Sequence, residues 1–315
     1  MVTLDLSTIR AAHERITPFI RRTAILTNPL LDSDFGARFF FKCENLQVGG
    51  AFKARGAHNA IFSLSDDEVA HGVVTQSSGN HATAVALAAS RRGVPAKIVM
   101  PSNTPKVKCD NVRNFGGEII FCEPTLAARE ATAAQVVAAK GGTLIHPYND
   151  ARVIAGQGTV ALELLQEVPD LDVLLVPVSG GGLLGGCVIA AKSLRPEIQV
   201  MGVEPEQADD AFRSFRAGER LLDGRRDTIA DGLRGSLGEL NWSIIRDRVD
   251  DIVTVTERGI VDSMRVLWEN LKLVVEPSGA VAFTAAREGK IAFSGKKIGV
   301  VISGGNVDLD RLPWQ

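Results

Sequence analysis

The chain has 315 residues, 45% hydrophobic and 23% charged, and its 35 basic and 37 acidic side chains leave a net charge of −2. That balance gives no electrostatic case for nucleic acid or an anionic membrane surface, and the length suits one large α/β domain or two lobes. No apolar run reaches the ~18 residues that span a bilayer, and Met1-Val2-Thr3-Leu4-Asp5 lacks the basic patch and apolar core of a secretory signal. Cys43, Cys109, Cys122 and Cys187 are widely spaced with no Cys-x-x-Cys pair, which reads as buried thiols in a reducing compartment and makes the cytoplasm the expected location.

In chain order, strand-like runs fall over 38–42, 72–75, 96–100, 118–121, 172–178, 199–203, 252–255 and 297–302. Stretches with helical spacing and alanine-rich faces lie between them, over 81–92, 125–139, 158–166, 183–194, 262–271 and 278–287. Near-continuous apolar strands alternating with helices predict parallel sheets covered on both faces. The compact βαβαβα run predicts a smaller lobe over residues 69–149, set into a larger one made of 1–68 and 150–315.

Four segments carry the chemistry. In Gly49-Gly50-Ala51-Phe52-Lys53-Ala54-Arg55 a lysine follows a diglycine turn at the start of a helical run, between an aromatic and small residues. Partial burial there lowers an ammonium pKa and yields a nucleophilic amine suited to a carbonyl partner. Gln76-Ser77-Ser78-Gly79-Asn80-His81 places hydroxyls, an amide and N–H groups where a strand gives way to a helix, a site for a carboxylate; capping of that helix by Ser77 or Ser78 is the alternative. In Ser179-Gly180-Gly181-Gly182-Leu183-Leu184-Gly185 the glycines let several N–H groups converge on one anion beside a helix N-terminus. The spacing of Gly180, Gly182 and Gly185, with Glu204 about 20 residues on, also fits a dinucleotide-binding unit, so an NAD-dependent oxidoreductase is a rival reading. Finally, Ser303 stands at the end of the last apolar run, where parallel sheets hold ligands.

Together these segments, with His146-Pro147-Tyr148-Asn149-Asp150, Ala155-Gly156-Gln157-Gly158-Thr159 and Thr228-Ile229-Ala230-Asp231-Gly232, resemble the fold-type II pyridoxal-phosphate enzymes in order and nearly end to end. The chain looks most like the branch of serine racemases and of threonine, serine and 3-hydroxyaspartate dehydratases. The resemblance implies a two-lobed α/β fold of the tryptophan synthase β kind, a homodimer, and pyridoxal 5'-phosphate as cofactor. By the same pattern Lys53 would carry the cofactor aldehyde, Phe52 would flank the ring and Asn80 would meet its phenolic oxygen. Ser179, Gly180, Gly181, Gly182 and Leu183 would hold the phosphate and Ser303 would meet the ring nitrogen. Ser77, Ser78, Gly79, Asn80 and His81 would bind the amino-acid substrate, with Ser78 matching the racemase branch's second proton-transfer group. Arg129 matches an arginine able to reach a distal carboxylate. Glu204, the Ala208 carbonyl and Asp210 look like a divalent-cation site taking Mg2+, or Ca2+ or Mn2+, through hard oxygen ligands; a solvated acidic loop is the bland alternative.

The implied reaction is dehydration and deamination of β-hydroxy-α-amino acids (serine, threonine, 3-hydroxyaspartate) to a 2-oxo acid and ammonia, with accompanying racemisation. An enzyme that is chiefly a serine or aspartate racemase is the alternative, and a β-replacing cysteine synthase relative ranks lower. The sequence departs from the pattern at Gly50-Ala51, at Ser179, where many relatives carry a fourth glycine, and at Gly235, where animal racemases carry serine.

Overall fold

The computed structural model describes residues 4–224 and 226–315. Among the described residues lie strands β1 (Ile25–Leu26), β2 (Arg38–Cys43), β3 (Val73–Gln76), β4 (Ala96–Pro101), β5 (Glu118–Cys122), β6 (Thr143–Leu144), β7 (Val173–Pro177), β8 (Gln199–Pro205), β9 (Asp251–Val255) and β10 (Lys297–Ile302). One sheet runs β1-β2-β10-β7-β8-β9 and the other β5-β4-β3-β6. Only β1 and β2 pair antiparallel; every other neighbour is parallel. All residues of β7, and all of β10 except Lys297, are buried, as central parallel strands between two helical layers must be. One layer contributes Ile154, Val160, Leu184 and Val188; the other packs Met264, Leu267 and Phe283 against Phe39 and Phe41.

All eight strands expected from the sequence are present with ends shifted by no more than two residues. The two-residue β1 and β6 are too short to show a period, and helices such as Leu6–Ile16 and Glu239–Arg248 went unread. Helix Ala151–Glu167 begins seven residues before the expected 158, so Gly156 and Gly158 do not mark its start. They are contact points instead. A Cβ on Gly156 would lie 2.6 Å from Arg55 O and from Gly56 Cα, and one on Gly158 would lie 2.8 Å from Gly186 O. Helix Ala151–Glu167 therefore touches helix Lys53–Phe62 on one side and helix Gly182–Leu194 on the other, backbone to backbone.

Strands β3, β7 and β10 all run with their carboxyl ends toward one cavity, the place where open parallel sheets bind ligands.

The close approach at Gly156 yields a sign reversal. In an open helix Gly→Ala stabilises by about 1 kcal/mol, whereas here the methyl group must push two helices apart. Gly156→Ala should lose about 1–3 kcal/mol, measured by denaturant unfolding; a gain in stability would contradict the packing described.

Candidate active site

The cavity encloses about 750 Å³, and every residue named from the sequence for cofactor or substrate lines it: Phe52, Lys53, residues 77–81, Arg129, Ser179 through Leu183, and Ser303. Glu204, Ala208 and Asp210 lie outside that lining.

Lys53 opens helix Lys53–Phe62, and its Nζ donates to Pro147 O at 2.8 Å while lying 5.1 Å from the centre of the Phe52 ring. Burial lowers its ammonium pKa to about 8. The helix behind it is held by Arg55, which has no exposed surface. The Arg55 guanidinium donates to Glu44 through Nε (2.7 Å) and Nη2 (2.8 Å), and to Glu163 through Nη1 and Nη2 (2.7 Å each). Lys42 Nζ donates to Glu163 Oε2 at 2.7 Å and to Thr23 O at 2.8 Å, so two cations balance two carboxylates in a dry interior.

The phosphate-type cradle is built by Gly181, at φ +89°, a backbone conformation that a side chain strains, leading into helix Gly182–Leu194. Gly180 O accepts from Gly238 N (3.1 Å) and Asn241 Nδ2 (2.6 Å). Ser179 Oγ accepts from Gly235 N and donates to Gly235 O, both at 3.0 Å. Two departures from the family pattern therefore belong together: a Cβ on Gly235 would lie 3.1 Å from Ser179 Oγ, so the serine hydroxyl fills space that a side chain at 235 would need.

On the opposite wall, helix Asn80–Arg92 is capped by Gly79 without a side-chain bond, so neither Ser77 nor Ser78 serves as its cap. Both are half-buried and open on the cavity. His81 is buried, its Nε2 donates to Ile145 O at 3.2 Å, and burial holds its pKa well below the usual range. His146 is likewise neutral, at about 4 through burial and then the nearby Lys53 charge; its Nδ1 accepts from Asn149 N at 2.9 Å. Arg129 is half-buried at the mouth rather than out on an exposed helix face. Ser303 Oγ donates to Ser278 O at 3.2 Å.

Glu276 was not singled out from the sequence. It is buried, lines the cavity, accepts from Asn80 Nδ2 at 2.8 Å, and burial followed by the charge of Asp231 pushes its pKa up to about 8. Its only sequence signal was a carboxylate directly before Pro277, which starts a helix. Lys108 and Asp231 pair across the mouth, joining the helix after β4 to the 228–232 segment.

Glu204 is fully buried and accepts from Ala211 N (3.3 Å) and Phe212 N (2.9 Å); Asp210 Oδ2 accepts from Leu237 N at 2.8 Å. Burial raises both pKa values, and Asp210 raises that of Glu204 further. This is not a solvated loop. Facing inward, Glu204 does not meet the cavity, which removes the ribose-binding role on which the dinucleotide reading rested. Among the described residues, no helix is long and apolar enough to cross a membrane.

The cavity at the strand ends brings together a lysine of lowered pKa, a glycine-rich loop that opens a helix, and a serine just past the last strand. The family model described as pyridoxal-phosphate dependent enzyme matches residues 16–304. The chain is 50% identical over 304 residues to beta-hydroxyaspartate dehydratase of Paracoccus denitrificans, covering 96% of each. It is 50% identical over 313 residues to serine racemase of Arabidopsis thaliana, covering 98% of this chain and 95% of that one. The solved structure of maize serine racemase superposes with a TM-score of 0.94 at 48% identity, over 97% of this chain and 94% of that one. The chain belongs to the pyridoxal-phosphate dependent enzymes, of the fold-type II kind.

Only a neutral amine attacks an aldehyde. With Lys53 at about 8, its neutral fraction rises from roughly one in ten at pH 7 to nine in ten at pH 9. Uptake of pyridoxal phosphate by the apoprotein, followed by stopped-flow absorbance, should accelerate roughly tenfold over that range and then level off. A rate still climbing tenfold per unit through pH 10 would indicate an ordinary solvated lysine.

Proposed function

We propose that this enzyme dehydrates and deaminates β-hydroxy-α-amino acids, 3-hydroxyaspartate among them, and racemises serine or a related amino acid as an accompanying activity. The observation that carries the reading is the meeting of Lys53, Ser78 and Arg129 in one cavity, in a chain half identical to both a beta-hydroxyaspartate dehydratase and a serine racemase.

Pyridoxal phosphate, when bound, supplies an electron sink for negative charge at the substrate's Cα. Lys53 Nζ anchors the cofactor and takes the Cα proton, a role that its lowered pKa suits near neutrality. The N–H groups of the loop from Ser179 to Leu183 and the helix behind it hold the phosphate. Phe52 would flank the ring, Asn80 would donate to its phenolic oxygen and Ser303 would meet the ring nitrogen. The hydroxyls and N–H groups of residues 77–81 take the substrate's α-carboxylate at the N-terminus of helix Asn80–Arg92. Ser78 offers a hydroxyl toward the face of Cα that Lys53 does not serve, which inversion requires and elimination does not. Arg129 offers a planar fork that matches a second carboxylate.

Glu204, the Ala208 carbonyl and Asp210 are proposed to hold a divalent cation, Mg2+ or its like, with waters completing the shell. Two buried carboxyls whose pKa values are raised by burial, that of Glu204 further by the charge of Asp210, suit such an ion, which would relieve both effects. The protein is further proposed to act as a cytoplasmic homodimer, with residues 69–149 forming the smaller of two lobes.

Ser78→Ala should lose serine racemisation while keeping substantial dehydration, and Arg129→Ala should weaken hydroxyaspartate turnover at least tenfold more than threonine turnover. Equal losses on both substrates would remove the second-carboxylate role, and surviving racemisation would remove Ser78 from the second face. Chelation should lower the thermal midpoint of the holoenzyme and readdition of Mg2+ should restore it, since a ligand of the native state stabilises it. A midpoint indifferent to both would rule out the cation site.

A further inference from the structure

Asn80 can present either end of its carboxamide to the cavity, and the two ends do opposite things. An N–H strengthens binding of an acceptor oxygen, whereas a C=O repels it. The hydrogen bonds on the far side of Asn80 decide between them. Gly49 O, a backbone carbonyl that can only accept, takes a hydrogen bond from Asn306 Nδ2 at 2.8 Å. That contact fixes which end of Asn306 faces inward, and its second N–H donates to Asn80 Oδ1 at 2.9 Å. With Oδ1 committed, Asn80 Nδ2 donates to Glu276 Oε1 at 2.8 Å and keeps one N–H free.

The fold makes room for this relay. Gly50, at φ +74°, leaves no space for a side chain beside the Asn306 carboxamide: a Cβ there would lie 2.9 Å from Asn306 Cγ. Gly305 N donates to Gly50 O at 2.9 Å and holds the two loops together. The diglycine turn before Lys53 thereby gains a purpose beyond bending the chain.

Glu276 cannot set the direction by itself. Burial and Asp231 raise its pKa to about 8, Lys108 and the hydrogen bond from Asn80 lower it, and near neutrality it holds a proton. A neutral carboxyl donates as readily as it accepts. The polarity comes from the Gly49 carbonyl through Asn306.

We propose that Asn306 is a positioning residue that fixes the direction of the Asn80 carboxamide, with Glu276 as the receiving end, so that the site presents an N–H to the cofactor's phenolic oxygen. The proposal rests on the cofactor placement given above. The near-isosteric Asn306→Asp tests it, because a carboxylate has no N–H to give. Asn80 then turns its Nδ2 toward residue 306 and its oxygen toward the cavity and the protonated Glu276.

The experiment measures pyridoxal phosphate affinity of the apoprotein by equilibrium dialysis, the absorption band of the bound cofactor, and the thermal midpoint of the apoprotein as a check on folding. Asn306→Asp should bind at least tenfold more weakly and shift the band, with an apoprotein midpoint close to wild type. Asn306→Ala should show a smaller loss, and Glu276→Gln, which keeps an acceptor oxygen, should retain the wild-type band. An Asn306→Asp protein with wild-type affinity and band overturns this proposal alone. A wild-type protein with no cofactor band, or one whose band survives in Lys53→Ala, overturns the cofactor placement and this proposal with it.

Discussion

A guanidinium with no access to solvent, Arg55, fixes the frame in which the active site is built. Two residues after Lys53 it grips Glu44, at the end of β2, and Glu163, on helix Ala151–Glu167, while Lys42 completes the charge balance. Two positive and two negative groups leave no net charge to desolvate, and each oxygen has a donor. Taking one partner away strands a buried charge at a cost of about 3–5 kcal/mol. Helix Ala151–Glu167 carries the constraint onward, through Gly158 against Gly186, to the helix that follows the phosphate-type cradle. Lysine and cradle are thus set relative to each other by packed backbone rather than by mobile side chains.

Burial sets the protonation of the titratable groups deepest in the cavity. Lys53 sits at about 8, Glu276 at about 8, and His146 at about 4, each displaced chiefly by burial. His81 is neutral for the same reason. Desolvation brings the pKa of the Lys53 amine close to neutrality and keeps the Glu276 carboxyl protonated near pH 7, so the two groups exchange protons over the same pH range. Toward the more exposed part of the lining, Lys108 pairs with Asp231 and Arg129 stands half-buried.

Much of this was legible in the sequence because it depends on local rules. Apolar runs such as 297–302 can only be central strands, and a run of glycines after such a strand announces an anion cradle. The family pattern then assigned Lys53, Ser78, Asn80, Arg129, the loop from Ser179 to Leu183 and Ser303 to a common site, and all of them line one cavity. What escaped was set by tertiary contact. Helix Ala151–Glu167 runs seven residues ahead of the expected 158–166, and its glycines answer to neighbouring helices. Capping by Ser77 or Ser78 stayed open as an alternative in the sequence because only the fold shows Gly79 in the cap position. Ser179 and Gly235 looked like independent departures, 56 residues apart, yet share one hydroxyl. Glu276 and the polarity running from Gly49 through Asn306 exist only once β10 and the diglycine turn lie side by side.

The central claim is that Lys53 is the group that binds the cofactor's aldehyde. Borohydride reduction of the holoenzyme, followed by proteolysis and mass spectrometry, locates the amine that carries the reduced pyridoxyl group. The account predicts a single modified peptide containing Lys53. A pyridoxyl group on Lys42, on Lys108 or on any other lysine, with Lys53 unmodified, would contradict it.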